Sequence, residues 1–217
     1  MKTLLLLRHA KSSWDNSELA DYDRPLNGRG RRDAPHMGQL LIQHDLTPDL
    51  LVTSSARRAA TTAELIALAA EYGGDIHYTD ELYLADPETF LDVARDTPDD
   101  VARLMLVGHN PGIEELVTGL AGRDERMPTA ALACFQLAID HWGDLSDETA
   151  AELLHLWRGL ATRRFSRGRS GGLPTRATTS FPDGRAAGSG SCCAPPTARP
   201  TRSATHRAPC PLRSLRA

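Results

Sequence analysis

Residues 2–7, KTLLLL, form a short apolar run with no polar face, and the run ends directly against Arg8 and His9. A run this short and without alternation fits a strand buried on both sides, as in a parallel sheet. Such a strand needs neighbours on both faces. The chain must therefore supply helices that cover the sheet from above and below.

The rest of the sequence supplies them. Met37, Leu40, Leu41 and His44 fall at helical spacing, with Pro35 implying a late start or a kink. PDLLVTSS predicts a second strand, Asp49 to Thr53. SSARRAATTAELIALAAEYGG predicts the clearest helix, capped by Ser54 or Ser55 and ended by Gly73. A third strand is expected over Ile76 to Tyr78. DPETFLDVARD predicts a helix capped by Asp86 with Pro87 in its first position. Leu104 to Val107 is a fourth strand. The helix after it is expected to be capped by Asn110, to start at Pro111 and to bury Ile113, Leu116, Val117 and Leu120. ALACFQLAI predicts a fifth strand and DETAAELLHLW a closing helix. The expected architecture is a three-layer α/β/α domain over residues 1–161, with a mostly parallel central sheet.

Charge divides the chain at the same place. Residues 1–161 hold 14 basic and 27 acidic residues, a net of −13, whereas residues 162–217 hold 11 arginines and the single acid Asp183, a net of +10. The acidic part argues against specific nucleic-acid binding. The basic part is rich in Arg, Ser, Pro and Gly and has little apolar surface to offset ordering, so it is expected to be disordered. It reads either as a frameshifted C-terminus or as a basic interaction arm. Cys134 lies in an apolar stretch, and Cys192, Cys193 and Cys210 fit no zinc spacing. The apolar run before Arg8 is too short for a signal peptide or a membrane span, so the expected location is the cytoplasm, away from membranes.

In open parallel sheets, ligands bind beyond the carboxyl ends of the strands. Arg8 and His9 follow the first strand, Ser54, Ser55, Arg57 and Arg58 the second, Asp80 and Glu81 the third, and His109 and Asn110 the fourth. Parallel strands would gather all of these on one rim. Guanidinium forks and helix N-termini there point to a phosphate or phosphoryl ligand. A neutral imidazole such as His9 could attack phosphorus, with the arginines and His109 neutralising the equatorial oxygens. Glu81 could protonate a leaving group and later deprotonate water. The arginines would repel a cation, so no metal or other cofactor is expected. Lys11 could line the entrance. Ser12 suits a turn first and phosphate ligation second.

LLLLRHAKSSW resembles the RH(G/A) signature of the histidine phosphatase superfamily, which also contains the phosphoglycerate mutases. The residues after His9 resemble the SixA-like phosphohistidine phosphatase branch. DRPLNGRGRRDA, SSARRAATTAE, ELYLADPE, LVGHNPGIEEL and MPTAALACFQL are similar to further family segments, in family order. The resemblance covers about residues 1–142. It implies a phosphoglycerate mutase-like fold and a phosphatase that works through a phosphohistidine. His9 matches the nucleophile, Arg8 a phosphate ligand, Arg58 the helix arginine and His109 the second pocket histidine. Glu81 matches the acidic loop only loosely, and Arg57 falls where the family commonly has an apolar residue. The remaining substrate-binding candidates are Arg57, Lys11, Ser12 and Asn110. The implied substrate is a phosphorylated protein, above all phosphohistidine on a signalling or phosphotransfer protein. The alternatives are a small phosphorylated metabolite or nucleotide, and a phospho-ligand-binding module without turnover.

Overall fold

The computed structural model describes residues 1–159, and the basic segment expected to be disordered lies outside them. Six strands form one sheet in the order β3-β2-β4-β1-β5-β6. They are β1 (Lys2–Arg8), β2 (Leu50–Ser54), β3 (Ile76–Thr79), β4 (Arg103–Gly108), β5 (Leu132–Leu137) and β6 (Ala151–Trp157). The helices are α1 (Gly30–Gln43), α2 (Arg57–Ala69), α3 (Pro87–Arg95) and α4 (Gly112–Ala121). The β1–β4, β2–β4 and β2–β3 pairs are parallel, whereas β5 runs antiparallel to β1 and β6 antiparallel to β5.

Strand β1 shows why the opening leucines settle the architecture. Leu4, Leu5, Leu6 and Leu7 are all fully buried. Successive side chains point to opposite faces. Leu4 and Leu6 join Phe90 and Leu91 of α3 and Ile113 and Val117 of α4. Leu5 and Leu7 join Met37 and Leu41 of α1 and Ala63 and Ile66 of α2. Two helices therefore cover each face. Burial of each such leucine contributes roughly 1.5–3 kcal/mol, so the tetrad ties both cores to one strand.

Several element ends differ from the sequence reading. Helix α1 starts at Gly30, ahead of Pro35, because Asn27 begins the turn: its Oδ1 accepts from Gly30 N at 2.9 Å and its carbonyl from Arg31 N at 3.0 Å. Helix α2 has no side-chain cap. The Ser54 and Ser55 hydroxyls are taken by His109 and Asp80 instead. It ends before Gly73, with Glu71 in the left-handed region at φ 52° and Tyr72 N bonded back to the Ala67 carbonyl at 2.9 Å. Asp86 caps α3 as expected, its side chain accepting from Thr89 N. Asn110 does not cap α4, which begins at Gly112 after Pro111, because the Asn110 amide is directed at Glu114 and Met127.

The largest departure is β6. The expected closing helix is an edge strand paired to β5. A register shift opposite Cys134 and Phe135 skips Leu154, which is left exposed, while Leu153 and Leu156 pack on the core. The extra residue breaks the two-residue period of LLHLW and hides the strand signal.

Candidate active site

The sheet register builds the site. Arg8 pairs with Gly108 across the parallel β1–β4 ladder, and His9 N donates to the Gly108 carbonyl at 3.0 Å. The next residue on each strand is a histidine. The His9 and His109 rings therefore meet at equal height, with centroids 4.9 Å apart and planes tilted by 51°. A hundred residues of sequence separation closes to van der Waals range.

The hydrogen bonds orient His9. Its Nδ1 lies 2.8 Å from the Ala10 carbonyl, which can only accept, so the ring proton sits on Nδ1 and a lone pair is left on Nε2. Arg58 Nε donates to that Nε2 at 3.3 Å. The Ala10 peptide is held in turn by Thr62, whose hydroxyl accepts from Ala10 N at 3.0 Å and donates to the Arg58 carbonyl at 2.6 Å. Thus α2 carries both the arginine and the side chain that fixes the loop after His9.

His109 Nε2 lies 3.0 Å from Ser54 Oγ, at the end of β2. A neutral ring that accepts there carries its proton on Nδ1. That atom is buried and has no hydrogen-bond partner among the described residues, and Arg8 Nε is in the same condition. Arg8 Nε is an N–H donor, and so is His109 Nδ1 in the tautomer that accepts from Ser54; an anion would satisfy both. Arg8 Nη1 donates to the Met127 carbonyl at 2.7 Å. Glu114 accepts from Met127 N at 2.8 Å and from the Asn110 amide at 3.1 Å, bracing the segment on which Arg8 rests.

Burial depresses both imidazoles, pushing each pKa down from 6.5 to about 3. For His9 the bond to the Ala10 carbonyl works against this while the charges of Arg58, Arg8 and Arg24 add to it; for His109 the repulsion that two protonated rings would feel and the charges of Arg58 and Arg8 add to it, against Asp21. Both rings are neutral at neutral pH, as a nucleophile and a neutral donor require. Between pH 6.5 and 3 the unfolded chain accepts protons that the folded chain refuses. Stability contributed by the neutral pair is full above 6.5 and drains as pH falls. Urea midpoints are expected to fall from pH 7.5 to pH 5, and to fall less in His9→Ala. A midpoint unchanged over that window would show that the pair is not buried neutral.

The structure brings together Arg8, His9, Arg58 and His109. Ser12 stands behind them, buried, accepting from Arg24 Nη2 at 2.6 Å. Asn110 braces the Met127 segment. Arg57, Lys11 and Glu81 do not join the cluster: all three are exposed, and the Glu81 backbone N–H donates to Thr79 Oγ1. Among the described residues, a carboxylate that does reach Arg58 is that of Asp21. It accepts from Arg24 Nη1 at 2.8 Å, Arg58 Nη2 at 2.9 Å and the Tyr83 hydroxyl at 3.0 Å. Partial burial works against its ionisation, but Arg24, Tyr83 and Arg58 outweigh that and hold it below the usual carboxylate range. Sequence reasoning passed over Arg24, Asp21, Thr62 and Tyr83. Arg24 is buried and lies immediately before Pro25, within the DRPLNGRGRRDA segment.

No helix among the described residues is long and apolar enough to cross a membrane, and no group of three or more metal-ligating side chains is assembled among them. The fold and site define an α/β protein with a cationic anion pocket around two neutral imidazoles. The sequence profile of the histidine phosphatase superfamily (branch 1) matches residues 4–83. An uncharacterized chloroplastic protein of Arabidopsis thaliana is 32% identical over 152 residues, which cover 65% of this chain and 69% of that protein. An uncharacterized protein of Mycobacterium tuberculosis is 33% identical over 156 residues, covering 67% and 95%. The crystal structure of the Agrobacterium tumefaciens protein designated SixA, to which phosphohistidine phosphatase activity is attributed, is similar with a TM-score of 0.62. It is 32% identical, and the match covers 72% of this chain and 97% of that one. The chain belongs to the histidine phosphatase superfamily, in its SixA-like branch, and that membership supports phosphatase activity.

Proposed function

We propose that this protein is a metal-independent phosphohistidine phosphatase acting on a phosphorylated signalling or phosphotransfer protein in the cytoplasm. The observation that carries the reading is the hydrogen bonding of His9 and Asp21. His9 presents a lone pair at Nε2, while Asp21, the carboxylate bonded to Arg58, is held as an anion and is no proton donor. A site of this kind suits a leaving group that needs little acid help. A phosphorylated imidazole protonated on its free ring nitrogen departs as neutral imidazole, whereas an alkoxide leaving group needs a proton from the enzyme.

In this reading His9 Nε2 attacks phosphorus, and the bond from phosphorus to the substrate nitrogen breaks. Arg8, Arg58 and His109 hold the equatorial oxygens. Water then attacks the phosphorylated His9. Its oxygen bonds to phosphorus, its proton leaves to solvent, and Nε2 recovers its lone pair. The guanidiniums that supply the positive charge also repel a metal cation, which supports a reaction without one.

The purified chain, assayed with chelator against phosphohistidine peptides and a panel of phosphorylated metabolites and nucleotides, tests this. Preferential turnover of the phosphohistidine peptides is expected. Faster turnover of a metabolite would replace the substrate, loss of activity to chelator would overturn metal independence, and phosphate binding without turnover would mark a binding module.

A further inference from the structure

Asp21 occupies Nη donors of Arg58, the arginine proposed above to hold a phosphoryl group. Its two carboxylate oxygens accept from guanidinium groups of Arg24 and Arg58, and the Tyr83 hydroxyl adds a third donor. Its backbone carbonyl takes Arg58 Nη1 as well. Three donors converging on one anion are the same chemistry that would hold a phosphoryl oxygen. Arg58 at the same time covers the His9 lone pair through Nε.

We propose, building on the phosphatase reading above, that Asp21 is a specificity-determining residue: a displaceable internal anion that an incoming phosphoryl group must replace on Arg58 and Arg24. The two partners differ in how firmly they are fixed. Arg24 is buried and anchored independently of Asp21, with Nε donating to the Ser13 carbonyl at 3.0 Å and Nη2 to Ser12 Oγ. Asp21 stands on the three-residue 3-10 turn Asp21–Asp23, which buries none of its residues, and its side chain is 45% exposed. The turn is tied across the pocket by Tyr22, whose hydroxyl donates to Asp80 at 2.9 Å and whose ring meets Tyr83 edge-on. Contacts this exposed are individually weak, so the turn can yield while Arg24 stays.

Displacement has two effects in one step. It removes a like charge from the phosphoryl group's surroundings. It also releases the Nη edge of Arg58, so the guanidinium can swing onto phosphate oxygen and uncover His9 Nε2. Free phosphate and small esters bring only their own charge to this competition. A protein substrate adds contacts outside the pocket, so Asp21 raises the threshold mainly against small ligands.

Titration calorimetry of inorganic phosphate into the full chain tests this without relying on turnover. Asp21→Asn keeps the shape and removes the charge. It is expected to tighten phosphate binding about tenfold, the effect of one nearby charge in a partly screened site. Arg58→Ala is expected to lose binding, and thermal melts confirm that both variants are folded. Equal or weaker binding by Asp21→Asn, with Arg58→Ala still defective, would overturn the proposal and make Asp21 a clamp that merely sets Arg58. Wild-type protein that binds no phosphate, with neither variant different from it, would overturn the anion-pocket reading and this proposal with it.

Discussion

His9→Ala is expected to abolish turnover, by at least about ten-thousandfold, while leaving phosphate binding largely in place. The expectation follows from the ring's geometry. Nδ1 is committed to the Ala10 carbonyl and Nε2 alone carries a reactive lone pair, so no other atom of the ring can take its place. The Nε2 of His109 is not free to take over this role, because it is engaged by Ser54. The check is single-turnover labelling with a phosphoryl donor. Wild-type protein should form an adduct that is acid-labile and base-stable, the behaviour of a phosphoramidate, and His9→Ala should form none. An adduct of undiminished yield in His9→Ala would move the nucleophile elsewhere.

Arg58→Ala is expected to lower kcat by about a hundred- to a thousandfold, whereas Arg57→Ala should change it little. The two arginines are neighbours at the start of α2, yet the helix turns them in different directions. Arg58 is buried against His9 and Asp21; Arg57 is exposed and makes no hydrogen bond or ion pair among the described residues. A charge at the surface is screened by water and salt, while one in the pocket acts on developing phosphoryl charge directly. Steady-state kinetics of the pair decides the matter. Equal losses in both variants would mean that the helix does not hold Arg58 alone at the phosphorus.

Much of this was legible in the sequence because it rested on strong local signals. The KTLLLL run has no polar side, and only a strand covered on both faces can use it. The helix stripe Ile113, Leu116, Val117 and Leu120 is buried as its spacing predicts. His9, Arg8, Arg58 and His109 fall at strand ends or helix starts, so parallel topology alone gathers them. What escaped was set by tertiary context. Ser54 looks like a helix cap, but the hydroxyl is claimed by a histidine from another strand. Glu81 is suggested by its place after β3, whereas the carboxylate that reaches Arg58 comes from a turn far earlier in the chain. Nothing in DYDR announces that Asp21 will cross to α2. The β6 strand was missed because the bulge at Leu154 disrupts the alternation that would have marked it.

The alignment of Arg8 with Gly108 has a further consequence. The two imidazoles are not gathered by pliable loops; they are the first residues past two rigid rails that lie side by side in the middle of the sheet. Their spacing is inherited from the repeat distance between hydrogen-bonded chains. Deleting or inserting a single residue within either rail would turn the next side chain to the opposite face and part the rings, however faithfully every other contact were kept.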